Sequence, residues 1–139
     1  MSKLFNKLNL KDHREILVVN APLSFESELA ALAGVAVLRD PGSVKVVRFA
    51  LVFATVQTEV DRLAKLLSAK AEGDALLWFA YPKRTSKMYK CDFNRDTGWS
   101  VLKSAGFDTV RAVAIDEDWS ALRFRRVEYI KSTTRVSAQ

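Results

Sequence analysis

A chain of 139 residues, 49% hydrophobic and 27% charged, has the balance of a globular domain and is long enough to bury one core, so a single domain over 1–139 is expected. One cysteine, Cys91, and one histidine, His13, exclude an intramolecular disulfide and ordinary Cys/His zinc sites, and no metal is expected. The formal charge of +6 favours acidic ligands and polyanions through long-range fields, although the basic residues are spread over the N-terminus, a central loop and the last strands.

The first segment, 1–14, carries Leu4, Phe5, Leu8 and Leu10 at spacings that suit a short amphipathic turn, with Lys3, Lys7 and Lys11 facing water. It reads as a lid over one end of the core. Its opening lacks the apolar stretch and cleavage site of a secretory signal, and no later run approaches the roughly 20 apolar residues that cross a bilayer. A cytoplasmic location without a membrane partner is expected. Glu15-Ile16-Leu17-Val18-Val19-Asn20 is an unbroken apolar strand, the pattern of a strand buried on both faces. Asn20-Ala21-Pro22 ends it, and Ser24 is placed to cap a helix from Phe25 to Leu32 that Gly34 stops. A short strand over Val35–Arg39, an Asp40-Pro41-Gly42-Ser43 turn and a third buried strand, Phe49–Ala54, follow.

Thr58 and Asp61 have the form of a capping box opening a helix whose buried face is Val60, Leu63, Ala64 and Leu67, with Gly73 as its terminator. Ala75–Tyr81 is a fourth buried strand, cut off by Pro82. It discharges into the polar, basic loop 82–99. Asp96 or Thr97 can cap a further helix from about Gly98 to Ala105, ended by Gly106. A fifth strand runs over Thr109–Ile115, Asp116-Glu117-Asp118 reads as an acidic turn, and a sixth strand covers Ala121–Tyr129. Residues 132–139 have the composition of a frayed tail.

Strands alternating with helices predict an α/β fold, a three-layer Rossmann-like sandwich around a mostly parallel sheet of about six strands. The last two strands are joined too tightly for a parallel crossover, so the C-terminal strand must be antiparallel. In such sheets ligands bind outside the carboxyl ends of the strands, which puts loop 82–99 at the functional edge.

This layout resembles the class I S-adenosylmethionine-dependent methyltransferase fold, in abridged form over Ile16 to Tyr129. More closely, the chain resembles a family of small bacterial proteins that carry a domain of unknown function. The shared motifs are Asn20-Ala21-Pro22, Ala80-Tyr81-Pro82-Lys83, Asn94-Arg95-Asp96-Thr97-Gly98-Trp99 and Asp116-Glu117-Asp118-Trp119-Ser120-Ala121-Leu122-Arg123-Phe124. The methyltransferase resemblance implies S-adenosylmethionine as cofactor, yet the glycine-rich turn that lets it approach the backbone is absent. Asn20-Ala21-Pro22-Leu23-Ser24-Phe25 stands there instead. Pro22 withholds an amide, Phe25 crowds the cofactor space, and Glu26 and Glu28 take the anion position of the following helix. Asp40 is the only candidate for a ribose-binding acid, and its Asp-Pro-Gly setting favours a turn.

The expected ligand site comprises Asn20, Lys83, Arg84, Lys87, Asn94, Arg95, Asp96 and Trp99. Arginine forks suit phosphate or carboxylate, Asp96 pairs with the loop's cations, and Trp99 supplies an aromatic platform. No nucleophile-base set, P-loop or zinc signature assigns a catalytic residue. The expected function is a noncatalytic module, monomer or homodimer, binding a small anionic ligand or a partner protein, with no cofactor. The alternatives are a divergent methyltransferase and a nucleic-acid-binding protein, the latter needing Tyr89, Phe93 and Trp99 exposed among the basic groups as stacking platforms.

Overall fold

In the computed structural model, which describes residues 3–93 and 97–130, the apolar runs become strands β1 (Glu15–Val19), β2 (Ala36–Leu38), β3 (Val47–Phe53), β4 (Ala71–Pro82), β5 (Phe107–Ala114) and β6 (Trp119–Arg126). They form one sheet in the order β2-β1-β3-β4-β6-β5. Strands β2, β1, β3 and β4 are parallel, whereas β6 runs antiparallel between β4 and β5. The antiparallel end is therefore as expected, and this is an α/β, Rossmann-like fold. The chain leaves β1 toward β2 and returns across β1 to β3, so the topological switch point lies between β1 and β3.

Because side chains alternate along a strand, each central strand feeds two cores. Leu17, Val19, Ala50, Val52, Leu77 and Phe79 face α3 (Gln57–Lys70) and α4 (Ser100–Ser104). Ile16, Val18, Phe49, Leu51, Trp78 and Ala80 face α1 (Lys3–Lys7) and α2 (Glu26–Ala30). Each of the valine, leucine, isoleucine and phenylalanine side chains among them contributes about 1.5–3 kcal/mol on burial. Phe5, Leu8 and Leu10 are fully buried, as the lid reading requires, and the Trp78 indole donates to the Leu8 carbonyl (2.9 Å). No helix among the described residues is long and apolar enough to cross a membrane.

Four local expectations need correction. Ser24 caps nothing: the chain leaves Pro22 through a 3-10 turn, Leu23–Phe25, and α2 follows without a side-chain cap. Thr58 is not the cap of α3, which begins one residue earlier, after Val56. Gly73 does not end that helix. It lies inside β4 at φ 59°, where the register slips from Val47 opposite Ala71 to Phe49 opposite Leu76, a bulge that only a residue tolerant of positive φ accepts cheaply. The sixth strand ends at Arg126, and Val127–Tyr129 is a 3-10 turn. Residues 132–139 lie outside the described residues.

Candidate functional site

Strand β4 ends at Pro82, paired with Trp119 of β6, and the Lys83 amide donates to the Asp118 carbonyl (2.7 Å). The acidic turn is self-contained: Asp116 Oδ1 accepts from the amides of Asp118 and Trp119, both at 2.8 Å. Asp118 Oδ1 in turn accepts from the Ser86 hydroxyl (2.8 Å), whose oxygen takes the amides of Met88 and Tyr89. That fixes the near end of the loop. At its far end the Asp92 amide donates to the Thr55 carbonyl (3.3 Å), and Asp92 Oδ1 accepts from the Gln57 amide (2.7 Å). The helix lacks a cap of its own, so the loop supplies the acceptor that the first free amides need.

Between those two anchors opens a cleft of about 830 Å³. Lys83, Arg84 and Lys90 stand on its rim, and half-buried Tyr89 supplies ring surface, with the buried Tyr81 and Phe93 in its wall. Asp92 is the one acid among these lining residues, set against three cations, so the cleft carries a surplus of positive charge. Such a space suits an anionic group held by forked or point cations beside a flat apolar body. The Cys91 thiol is pushed up from its usual range, first by burial and then by Asp92, against a lowering hydrogen bond from the Phe93 backbone. A protonated thiol is a poor nucleophile.

The switch point is built oppositely. Phe25 is buried and meets Phe53, the last residue of β3, at a ring separation of 5.0 Å. The row continues through Phe53–Trp119 at 5.1 Å and Trp119–Tyr89 at 4.8 Å, carrying aromatic packing across the carboxyl ends of the strands. Asn20, at φ 61°, closes the top by donating to Glu59 Oε1 (3.0 Å), whose carboxyl is held below its usual range chiefly by Arg62 and less by Asn20. Arg39, at the exit of β2, forms a two-bond pair with Glu26 at 2.8 Å per bond. Asp40 Oδ1 accepts from the Gly42 amide (2.9 Å), so it serves the turn.

The predicted site is therefore divided. Of its residues, Lys83 and Arg84 line the cleft. Asn20 does not, because its amide is engaged with Glu59, and Lys87 is exposed away from the walls. Trp99 is a core residue at 3% exposure, packed against Phe79, Tyr81, Phe93 and Phe124, and offers no platform. Phe93 is buried as well, so two of the three proposed stacking rings are unavailable to a nucleobase. Asn94, Arg95 and Asp96 lie outside the described residues. Sequence reading missed the bracing by Asp92 and Ser86. A signal existed for the first: a helix beginning after Val56, with no Ser, Thr, Asp or Asn at its cap, requires an acceptor from elsewhere.

Solved structures share this architecture. A SAM-dependent methyltransferase from Aquifex aeolicus aligns with a TM-score of 0.61 over 90% of this chain and 88% of its own, at 14% identity. A putative type 11 methyltransferase from Sulfolobus solfataricus gives 0.57 over 89% of each chain at 10% identity. Magnesium protoporphyrin IX methyltransferase from Synechocystis PCC 6803, solved with bound SAH, gives 0.57 over 88% of this chain and 78% of its own, also at 10%. No family model and no curated protein matches the chain. At such identities the likeness defines a methyltransferase-like Rossmann core, and nothing finer.

Proposed function

We propose that this chain is a noncatalytic binding module that takes a small aromatic or heteroaromatic anion in the cleft at the carboxyl end of β4. The observation that carries this reading is the pairing of an open cationic cleft with a switch point filled by Phe25 and Phe53. The residues present do not fit S-adenosylmethionine at that switch point. No glycine opens the turn after β1, Pro22 withholds an amide, and the aromatic pair is core packing rather than a removable lid.

Titration calorimetry with phenyl phosphate and benzoate as probes tests it. Saturable binding that weakens roughly tenfold when Lys83 and Arg84 are both changed to Ala supports the reading, in keeping with lost charge-assisted contacts. Absence of binding by both probes, or binding indifferent to that double substitution, overturns it.

A divergent methyltransferase is the second reading, and the solved SAM-dependent relatives of the fold favour it. Asn20 and Asp40 would then bind cofactor, with the cleft reserved for the methyl acceptor and Phe25 displaced. Micromolar affinity for S-adenosylmethionine, lost in Asn20→Ala, would decide for this reading and against the first.

A further inference from the structure

On the α1 side of the sheet, beyond the reach of the aromatic row, strands β5 and β6 set arginine against arginine. Arg111 and Arg123 stand directly opposite each other in the antiparallel ladder. Like charges at directly opposed positions destabilise a sheet. Arg125, two residues along β6, projects from the same face. Its neighbour in the ladder, Asp108, turns its carboxylate to the Thr109 amide (2.8 Å). The remaining acid, Asp74 of β4, gives both oxygens to Arg125 at 2.8 and 2.6 Å and comes no nearer than 3.9 Å to Arg123. Arg123 itself is 12% exposed in its side chain, and its buried Nε has no hydrogen-bond partner.

Asp74 compensates these costs only in part. Burial, and then the charge of Arg125, disfavour the cationic form of Arg123, while Asp74 only partly opposes them. A guanidinium stays charged in proteins, so the strain is borne as repulsion and lost hydration. Arg111 itself is exposed, whereas Val113 on the same face of β5 is buried. An anion with several acceptor oxygens could bridge Arg111 to Arg125 there and relieve the crowding around Arg123.

We propose that Arg111, Arg123 and Arg125 form a phosphate-binding site centred on exposed Arg111 of β5, separate from the cleft at the end of β4. Phosphate suits it because its several oxygens can take the fork of exposed Arg111 and the Nη1 of Arg125 that Asp74 leaves unused, with the charge of Arg123 behind them, whereas a monocarboxylate satisfies one fork. The phosphate could belong to a small phosphorylated compound or to a nucleic-acid backbone, which share this chemistry.

The test uses pyrophosphate, followed by calorimetry and by thermal unfolding, on wild type, Arg111→Ser, Arg125→Ser and the Lys83→Ala/Arg84→Ala double variant. Binding should weaken roughly tenfold in each arginine variant and hold in the double variant. Arg111 is exposed, so Arg111→Ser should fold, with a melting temperature equal to or above wild type without ligand and no rise when pyrophosphate is added. A 20-mer single-stranded DNA separates the two sources. Affinity well above that of pyrophosphate, falling steeply with salt, assigns the site to a nucleic-acid backbone, and comparable affinity assigns it to a small phosphate compound. No pyrophosphate binding, binding lost only in the double variant, or an Arg111→Ser protein less stable than wild type overturns the proposal.

Discussion

Two places on the carboxyl edge of one sheet have been finished in opposite ways. Between β1 and β3 the chain closes its own crevice with Phe25 against Phe53, an Asn20–Glu59 bond above them and a Glu26–Arg39 pair beside them. Between β4 and β6 the loop is braced at both ends, through Asp118 and through Asp92, and the space between the braces stays open. A Rossmann-like topology therefore supplies two candidate positions, and the side chains decide which is used. Packed rings exclude a ligand by making the vacancy part of the core. Cationic rims with bound loop ends preserve one.

The largest test of this contrast is Phe25→Ala. If the ring is core, its removal should cost about 3–5 kcal/mol in urea unfolding, as for other buried aromatic truncations, with phenyl phosphate binding unchanged. A loss below about 1 kcal/mol would mean the switch point is loosely filled and the contrast between the two positions is wrong. Next comes Gly98→Ala. Gly98 sits at φ 92°, and a methyl group there would meet Gln57 Oε1 and, at 2.9 Å, Phe93 Cβ. Positive φ and overpacking each cost about 1–3 kcal/mol. Both destabilisation and weakened ligand binding are expected, because Gln57 donates to the Gly98 carbonyl (2.7 Å) and so ties this wall to α3.

Asp92→Ala is smaller. Loss of a helix cap costs about 0.5–2 kcal/mol, but here the cap is also the loop's far anchor. Cleavage by trypsin after Lys87 or Lys90 should quicken by more than global stability predicts. Equal changes in both readouts would show that the brace does not hold the loop separately from the rest of the fold.

Much of the fold could be read from the chain because its signals are local and repeated. Unbroken apolar runs identified β1, β3 and β4, the spacing Val60, Leu63, Ala64, Leu67 gave the buried face of α3, and the short connection after β5 demanded an antiparallel partner. The site was legible only in part. Lys83 and Arg84 follow a strand end, and strand ends have a known place in the fold. Trp99 misled because an aromatic beside a polar loop reads the same whether it faces outward or inward. Its direction is set by contacts with Phe79 and Phe124, which sequence does not bring together. Asp92 and Ser86 act through partners 35 and 32 residues away, beyond any local pattern.

The finest test concerns the bond that closes the filled crevice. Glu59 has its carboxyl below the unfolded value of about 4.3, first through Arg62 and to a lesser extent through Asn20. A depressed acid contributes stability that is fully present above its unfolded pKa and is lost as pH falls through the folded one, so this contribution should decline as pH drops below the unfolded value and through the lowered folded one. Asn20→Gly keeps the left-handed backbone at φ 61° and removes only the side-chain bond. The variant should lose a few tenths of a kcal/mol at pH 7, as partly exposed pairings do, and its deficit should shrink as acidification protonates Glu59 in both proteins. Asn20→Ala should cost about 1 kcal/mol more across that pH range, since alanine pays for the left-handed conformation. A deficit in Asn20→Gly that stays constant from pH 7 down to the acid unfolding limb would disconnect Asn20 from Glu59, and leave its side chain available at the switch point for a ligand after all.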